Sequence, residues 1–238
     1  MKRGIFGGLG TILLLTGAGA LADEPPASVD SKEGWKLSSQ PAGVAIYSRP
    51  HPGSPVKEFR AIGEIDAPTP IVNAVIDDFE CYPRFMPFTA ECRLIKREGD
   101  TVVGYQRLSP KIVADRDYTL RVWNKQWLSS GGPVFLNQWS PANELGPAEK
   151  PGVVRVKVCD GAWLLEPEAG NKTRATYSVY TDSGGLIPAF LANRMSNVGI
   201  SRVFQAVRKQ VSNPKYHGTT ELITPVVALP TNPDRLPH

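Results

Sequence analysis

The side chains that most often carry out catalysis are few in this sequence and lie far apart. It contains three histidines: His51 lies in a proline-rich turn, whereas His217 and His238 lie in or near the C-terminal end. No GxSxG elbow, glycine-rich phosphate loop or HExxH metal motif is present. Neighbouring acids such as Asp77 and Asp78 are expected to be solvated. The residues therefore predict neither an enzyme nor a cofactor or metal site.

Three cysteines offer a second kind of chemistry. Cys81 and Cys92 flank a turn with two prolines, which could bring them within the ~4.4–6.8 Å that separates the Cα atoms of a disulfide. The alternative is that these two and Cys159 are small buried hydrophobic residues. No paired Cys and His spacing suggests zinc.

Composition bounds the remaining possibilities. Of 238 residues 41% are hydrophobic, and glycine and proline contribute 22 each, so we expect a folded chain rich in turns and extended segments. The formal net charge is only +4 and no long basic run occurs, which argues against nucleic acid as a partner.

The N-terminus has the pattern of a secretory signal. Lys2 and Arg3 precede an apolar stretch that is too short and glycine-rich to span a bilayer, and Ala20-Leu21-Ala22 fits a cleavage site. We expect residues 1–22 to be removed and residues 23–32 to be a linker. The mature protein would then be periplasmic or secreted.

The mature chain reads as strands, one short helix and one long helix. A helical turn is expected over Glu33 to Leu37, and a short amphipathic helix is expected after Pro68, with Ile71, Val72, Val75, Ile76 and Phe79 on its apolar face. The predicted strands are Gly43 to Ser48, Val56 to Ile65, Glu91 to Glu98, Thr101 to Leu108, Asp117 to Trp127, Val134 to Ser140, Val153 to Leu165 and Arg174 to Thr181. A long helix should run from about Gly184 to Val211, and residues 213–238 are expected to be an extended, proline-rich tail.

Alternation predicts which side chains share the covered face of the sheet. The apolar sets are Tyr118, Leu120 and Val122, then Val154, Val156 and Val158, then Ala175, Tyr177 and Val179. On the long helix the apolar stripe changes face near Gly199, so one half either meets a second apolar surface, is exposed, or follows a kink. The fold class is α+β: a curved antiparallel sheet around a long C-terminal helix, with an internal apolar cavity.

Four segments carry a resemblance to a known family. They are DFECYPRFMPF at residues 78–88, ADRDY at 114–118, GAWLLEP at 161–167 and YSVYTDSGGLIPAFLAN at 177–193. In this order the sequence resembles the START (StAR-related lipid transfer) domain family over residues 35–212. The resemblance implies a single helix-grip domain, residues 33–212, that binds one lipid such as a sterol, hopanoid or phospholipid in a tunnel and carries it, with transient membrane contact.

The same resemblance suggests where the ligand enters and what it touches. The entrance would map onto Ser140 to Pro151 and Leu186 to Met195, with Phe204 and Val207 packed on the sheet instead. The acid and base pair of several sterol-binding members cannot be carried over. The candidate ligand-binding residues are Tyr105, Tyr118, Leu120, Val122, Asn124, Val156, Val158, Tyr177, Val179, Leu186, Ile187, Phe190, Leu191 and Met195. Plain core packing is an equal alternative for seven of them: Tyr118, Leu120, Val122, Val156, Val158, Tyr177 and Val179.

Two other functions remain open at this stage. The helix-grip fold also hosts cyclases and hydrolases, which would need an inward titratable group of shifted pKa, such as Arg121 beside an acid. The third possibility is an interaction module of the cell envelope that uses the proline-rich tail. No protein partner can be named from the sequence.

Overall fold

In the part of the chain that the structure describes, ten strands form one largely antiparallel sheet. The sheet curves around a long C-terminal helix, which is the architecture that the sequence predicts. The computed structural model describes residues 33–185 and 187–222, so the expected signal peptide and linker lie outside the described residues. The strands are β1 (Lys36–Ser39), β2 (Val44–His51), β3 (Ser54–Ile65), β4 (Thr89–Glu98), β5 (Thr101–Leu108), β6 (Asp115–Ser129), β7 (Gly132–Pro141), β8 (Val153–Arg155), β9 (Val158–Glu168) and β10 (Lys172–Asp182). Their order across the sheet is β1-β2-β3-β10-β9-β7-β6-β5-β4, and β8 pairs in parallel with the start of β6.

Three α-helices accompany the sheet in the described part of the chain: α1 (Thr69–Asp77), α2 (Tyr82–Phe85) and α3 (Ala189–Gln210). Short 3-10 helices cover Pro41–Gly43, Phe79–Cys81, Asn143–Leu145 and Pro214–Leu222. Within residues 33–185 and 187–222, no helix combines the length and the apolar character needed to cross a bilayer.

Helix α1 begins where the sequence predicts it but ends at Asp77, so that Phe79 lies in the following 3-10 helix. Pro70 lies in the first turn, where its missing N–H costs nothing, and Pro68 precedes the helix in an extended conformation. The spacing of Ile71, Val72 and Val75 places them on one side, and all three are buried in the main core.

Helix α3 is one helix of 22 residues whose two halves have different neighbours. In its C-terminal half, Phe204 and Val207 are fully buried in the core as predicted, and the Phe204 ring lies 5.2 Å from that of Trp163. In its N-terminal half Leu191 and Met195 are only half-buried, because they face an internal space and not packed side chains. The change of apolar face near Gly199 therefore reflects two different surfaces beneath one helix.

The predicted helical turn over residues 33–37 is wrong, because this segment leads into strand β1. Lys36 pairs with Ser48, and Trp35 is buried between two arginines. The guanidinium carbons of Arg49 and Arg60 both lie 4.6 Å from the Trp35 ring centre. These contacts, typical of cation–π interactions, hold the backbone beside the sheet edge, which favours an extended conformation.

The single strand predicted from Val153 to Leu165 is two strands. The ladder is interrupted at Val156 and Lys157, so that β8 pairs with β6, whereas β9 pairs with β7 and β10. The interruption breaks the alternation on which the shared face of Val154, Val156 and Val158 depended.

The predicted extended tail is also wrong in its first part, because residues 214–222 form a 3-10 helix. Tyr216 is buried against the core beside α1, and its hydroxyl lies 2.7 Å from a carboxylate oxygen of Asp78. Lys215 donates to the same oxygen at 2.6 Å. The buried ring and the ion pair thus fix this segment against α1, which the composition of the segment does not indicate. Residues 223–238 lie outside the described part.

The candidate disulfide between Cys81 and Cys92 is not formed, and all three cysteines are free thiols. Cys81 ends the 3-10 helix after α1, where its sulfur accepts a hydrogen bond from Lys215 Nζ at 3.3 Å. Cys92 lies on β4, and burial raises the pKa of its thiol. Their side chains thus have different surroundings, and Cys159 follows the buried alternative.

Candidate functional site

A cavity of about 620 Å³ lies between the concave face of the sheet and the N-terminal half of α3. Its wall comes from the inward residues of β5, β6, β7, β9 and β10 and from the segment between α1 and β4. The apolar lining includes Phe59, Ile76, Phe79, Met86, Phe88, Val102, Leu108, Leu120, Val122, Trp139, Trp163, Val179, Ile187, Leu191, Met195 and Val203. A second groove, of about 600 Å³ between β1, β2 and α3, is lined largely by serine, asparagine and charged side chains.

Three aromatic rings form the deep wall of the cavity. Tyr177 lies between the two tryptophans, with ring centres 5.7 Å from Trp139 and 4.6 Å from Trp163. Trp139 fits against the sheet because Gly161 faces it, where a Cβ would lie 2.3 Å from its ring. Burial raises the pKa of the Tyr177 hydroxyl, so this group stays neutral at ordinary pH.

A short chain of polar side chains crosses the cavity wall. The Tyr118 hydroxyl donates to Gln106 Oε1 at 3.0 Å, and Gln106 Nε2 donates to Thr89 Oγ1 at 2.9 Å. Tyr118 and Gln106 face each other across β6 and β5, so the sheet register itself aligns them. Burial raises the pKa of Tyr118 well above its usual value. These groups form a neutral hydrogen-bonded set suited to orientation and not to proton transfer.

Pro110, Ile112, Ser183 and Ile187 line the cavity in the segments that lead into β6 and α3, and we infer that the cavity opens here, at an end that we call the mouth. Ile112, in the loop between β5 and β6, lines the cavity yet is 73% exposed. Phe190, in the first turn of α3, is 76% exposed and turned away from the cavity. Two large apolar side chains are thus presented to solvent near the cavity entrance.

Nine of the fourteen candidate ligand-binding residues lie on the cavity wall. They are Tyr118, Leu120, Val122, Asn124, Tyr177, Val179, Ile187, Leu191 and Met195. Leu186 lies outside the described residues. Val156 is buried beneath Tyr118 and Leu120 without reaching the cavity, and Val158 precedes the inward Cys159 on β9 and so faces outward.

Tyr105 was expected to line the cavity, but it lies on the convex face of the sheet. Gln106 points inward on β5, so its neighbour Tyr105 must point outward, where it is fully buried. Its hydroxyl donates to Asp117 Oδ2 at 3.1 Å, and Arg155 binds the same carboxylate at 2.7 and 3.1 Å. Arg121 also lies on this convex face, away from the cavity wall.

The predicted entrance segment, residues 140–151, does not line the cavity. It packs on the convex face, where Asn143 Oδ1 accepts from Thr119 N at 2.8 Å and Asn143 Nδ2 donates to Val156 O at 2.8 Å. Arg155 also donates to Pro147 O at 3.0 Å. The loop between β5 and β6 takes the place at the mouth that the sequence assigned to this segment.

Several wall residues went unrecognised in the sequence. Trp139 and Trp163 both lie on predicted strands. Trp163 pairs directly with Tyr177 across β9 and β10, so knowledge of this pairing would have placed Trp163 on the inner face. The position of Phe79 depends on Gly104, where a Cβ would lie 2.4 Å from the Phe79 ring. Such a contact between distant segments leaves no local pattern.

Comparison with known proteins gives several matches. An uncharacterized protein of Pseudomonas aeruginosa is 32% identical over 162 residues, which cover 68% of this chain and 78% of that protein. The phosphatidylcholine transfer protein of Rattus norvegicus is 21% identical over 187 residues, which cover 78% of this chain and 86% of that protein.

Among solved structures, a STAR-related lipid transfer protein from Xanthomonas axonopodis matches with a TM-score of 0.68 and 26% identity, covering 76% of this chain and 99% of that one. Human STARD10 matches with a TM-score of 0.66 and 18% identity, covering 81% of this chain and 79% of that one. A family model described as polyketide cyclase / dehydrase and lipid transport matches residues 65–208, more than half of the chain. The protein therefore belongs to the polyketide cyclase, dehydrase and lipid transport family, and its fold is the START-like helix-grip fold.

Proposed function

We propose that this protein binds one lipid molecule in the cavity between the sheet and α3 and carries it across the periplasm. The observation that carries the proposal is the cavity itself, whose volume of about 620 Å³ lies within the usual ~300–1,000 Å³ of ligand pockets. Its wall is mostly apolar, with the neutral Tyr118–Gln106 pair as an orienting group.

The physics of such a cavity favours hydrocarbon. Each buried methylene group contributes ~0.8 kcal/mol, so about ten of them contribute ~8 kcal/mol before the cost of immobilising the ligand. The aromatic wall of Trp139, Tyr177 and Trp163 offers flat surfaces to a chain or a ring system. The similarity to lipid transfer proteins in both sequence and structure supports the same conclusion.

Delivery requires contact with a membrane, and the mouth is the surface suited to it. Ile112 and Phe190 expose apolar side chains beside the opening, and their insertion among lipid tails would remove them from water. In this proposal the β5–β6 loop and the first turns of α3, with Ile187 and Leu191, separate to admit the lipid. Export to the periplasm rests on the N-terminal pattern of Lys2, Arg3 and Ala20-Leu21-Ala22.

The test is transfer of a fluorescent phospholipid between two liposome populations by the mature chain. We expect Phe190→Asp to slow transfer at least tenfold, because the carboxylate opposes membrane insertion. Leu128→Asp is the matched control: Leu128 is 63% exposed at the far end of β6, and its substitution should leave the rate unchanged. Equal rates for both variants would overturn the role of the mouth.

The same preparation distinguishes a carrier from a family member with cyclase or dehydrase chemistry. The lipid recovered after transfer should have the mass of the lipid supplied. A changed mass that requires the folded protein would contradict the carrier function. Amino-terminal sequencing of the exported protein should begin at Asp23, and retention of residues 1–22 in a cytoplasmic protein would refute export.

A further inference from the structure

One charged side chain on the cavity wall is buried without the partner that such a group needs. Arg116 is the second residue of β6, is only 6% exposed, and lines the cavity with Leu108 beside it on β5. One terminal nitrogen donates to the backbone oxygen of Ala114. Its Nε is buried and, in residues 33–185 and 187–222, has no hydrogen-bond acceptor.

No described carboxylate forms an ion pair with Arg116, although two acids flank it in sequence. Asp115 binds Arg107 instead, with an oxygen-to-nitrogen distance of 2.5 Å. Asp117 points to the opposite face of the sheet, where it binds Arg155. Alternation along β6 thus directs both neighbouring acids to the convex face, so that Asp115 attracts the Arg116 guanidinium from a distance but makes no direct ion pair with it.

This arrangement is costly in the empty protein. Arginine does not give up its proton near neutral pH, so burial cannot be relieved by neutralisation, and the attraction of Asp115 offsets the loss of hydration only in part. Burial lowers the pKa of Arg116, in the direction expected of a guanidinium with too few partners. An anion at this position would remove the cost.

The surroundings leave room for such an anion. The backbone passes the Arg116 guanidinium at Gly185, where a Cβ atom would lie 3.8 Å from Arg116 Nη2. Ser183 lines the same cavity. Gly184 and Gly185 both have positive φ, at 64° and 72°, a conformation that glycine adopts without strain. Gly185 therefore keeps a side chain away from the Arg116 guanidinium, whereas a Cβ at Gly184 would meet Val154 instead.

We propose that Arg116 binds the phosphate or carboxylate of an anionic lipid whose hydrocarbon lies along Tyr118, Leu120 and Val122. The inference rests on the proposed lipid-binding function and narrows its ligand class. A planar guanidinium matches the two oxygens of such a group, and the inward residues of β6 continue from Arg116 straight into the apolar wall. A neutral sterol or hopanoid would leave the charge unpaired.

The test compares two lipids that differ only in the anion. Binding of phosphatidic acid and of diacylglycerol with the same acyl chains is measured on the delipidated mature protein, together with inorganic phosphate alone. We expect phosphatidic acid to bind at least tenfold more tightly than diacylglycerol. Arg116→Gln should abolish this ratio and leave the affinity for diacylglycerol unchanged. Arg121→Gln, on the convex face of the same strand, should preserve the ratio.

The possible failures are distinguishable. Equal affinity of the wild-type protein for the two lipids would overturn the role of Arg116 while the proposed function stands, whereas binding of neither lipid would overturn both. Inorganic phosphate binding as tightly as phosphatidic acid would assign the site to a free anion and not to a lipid. Arg116→Met should melt at the same or a higher temperature than the wild type without lipid, and a lower melting temperature would show that the residue is structural.

Discussion

Replacing Asp117 with asparagine tests the ion pair that holds the convex side of the site together. The side chains of Asp117 and Arg155 are 1% and 7% exposed, and two nitrogens of the guanidinium lie 2.7 and 3.1 Å from the two carboxylate oxygens. Asparagine retains the volume but removes the charge and directs an amide N–H₂ toward Arg155. Breaking a buried pair on one side costs ~3–5 kcal/mol. For a chain of this size that corresponds to a fall in Tm of ~6–20 °C.

Urea unfolding followed by circular dichroism measures this loss as a lower midpoint at unchanged slope. Asp115→Asn on the same strand is the control, because its pair with Arg107 is open to solvent and its loss should be much smaller. The double variant Asp117→Asn/Arg155→Gln should lose less than the sum of its two single variants, because they share one interaction. A loss below ~1 kcal/mol for Asp117→Asn would show that the buried pair contributes little to stability.

Three further predictions concern the packing of the core, the size of the cavity and the loss of stability at low pH. Phe204→Ala removes a fully buried ring that packs on Trp163 and should lower the free energy of unfolding by ~3–5 kcal/mol in the same urea experiment; a loss below ~1 kcal/mol would contradict the packing. Gly104→Ala places a Cβ 2.4 Å from the Phe79 ring, so the ring should move into the cavity. The affinity for a fluorescent phospholipid, measured by titration, should therefore fall. Unchanged affinity would mean that the ring moves without entering the lipid site. Burial raises the pKa of Asp78, but hydrogen bonds from Lys215 and Tyr216 outweigh it and hold the pKa below its usual value. These hydrogen bonds therefore stabilise the fold above the unfolded-state pKa of ~3.9, and this stabilisation is lost as pH falls through the lower folded-state pKa. The difference in unfolding free energy between wild type and Asp78→Asn should be large at pH ~7 and close to zero at pH ~2. A difference that does not change with pH would contradict the role of Asp78.

The strands and the final helix could be predicted because their side chains alternate with the period of the element. In β6 the set Tyr118, Leu120 and Val122 predicted both the strand and the face that lines the cavity. The same periodicity failed between Val153 and Leu165, because an unbroken alternation in the sequence conceals the switch from pairing with β6 to pairing with β7 and β10. Strand partners are a property of the tertiary fold.

The site was predictable only where the face of a strand was known. Tyr105 looked like a polar contact for a ligand, but the direction of a side chain on β5 depends on the register with β6, which local pattern does not give. The absence of a disulfide was also not predictable from local sequence. Cys81 contacts Lys215 and not Cys92, and Lys215 lies more than a hundred residues further along the chain. The unpaired state of Arg116 likewise follows from where Asp115 and Asp117 point.

Native mass spectrometry of the protein, purified from cells under mild conditions, is the decisive test of lipid binding. We expect a population with one bound molecule per chain, released by organic solvent and identified as an intact lipid. A protein that is empty after gentle purification and takes up no phospholipid, fatty acid, sterol or hopanoid probe would contradict it.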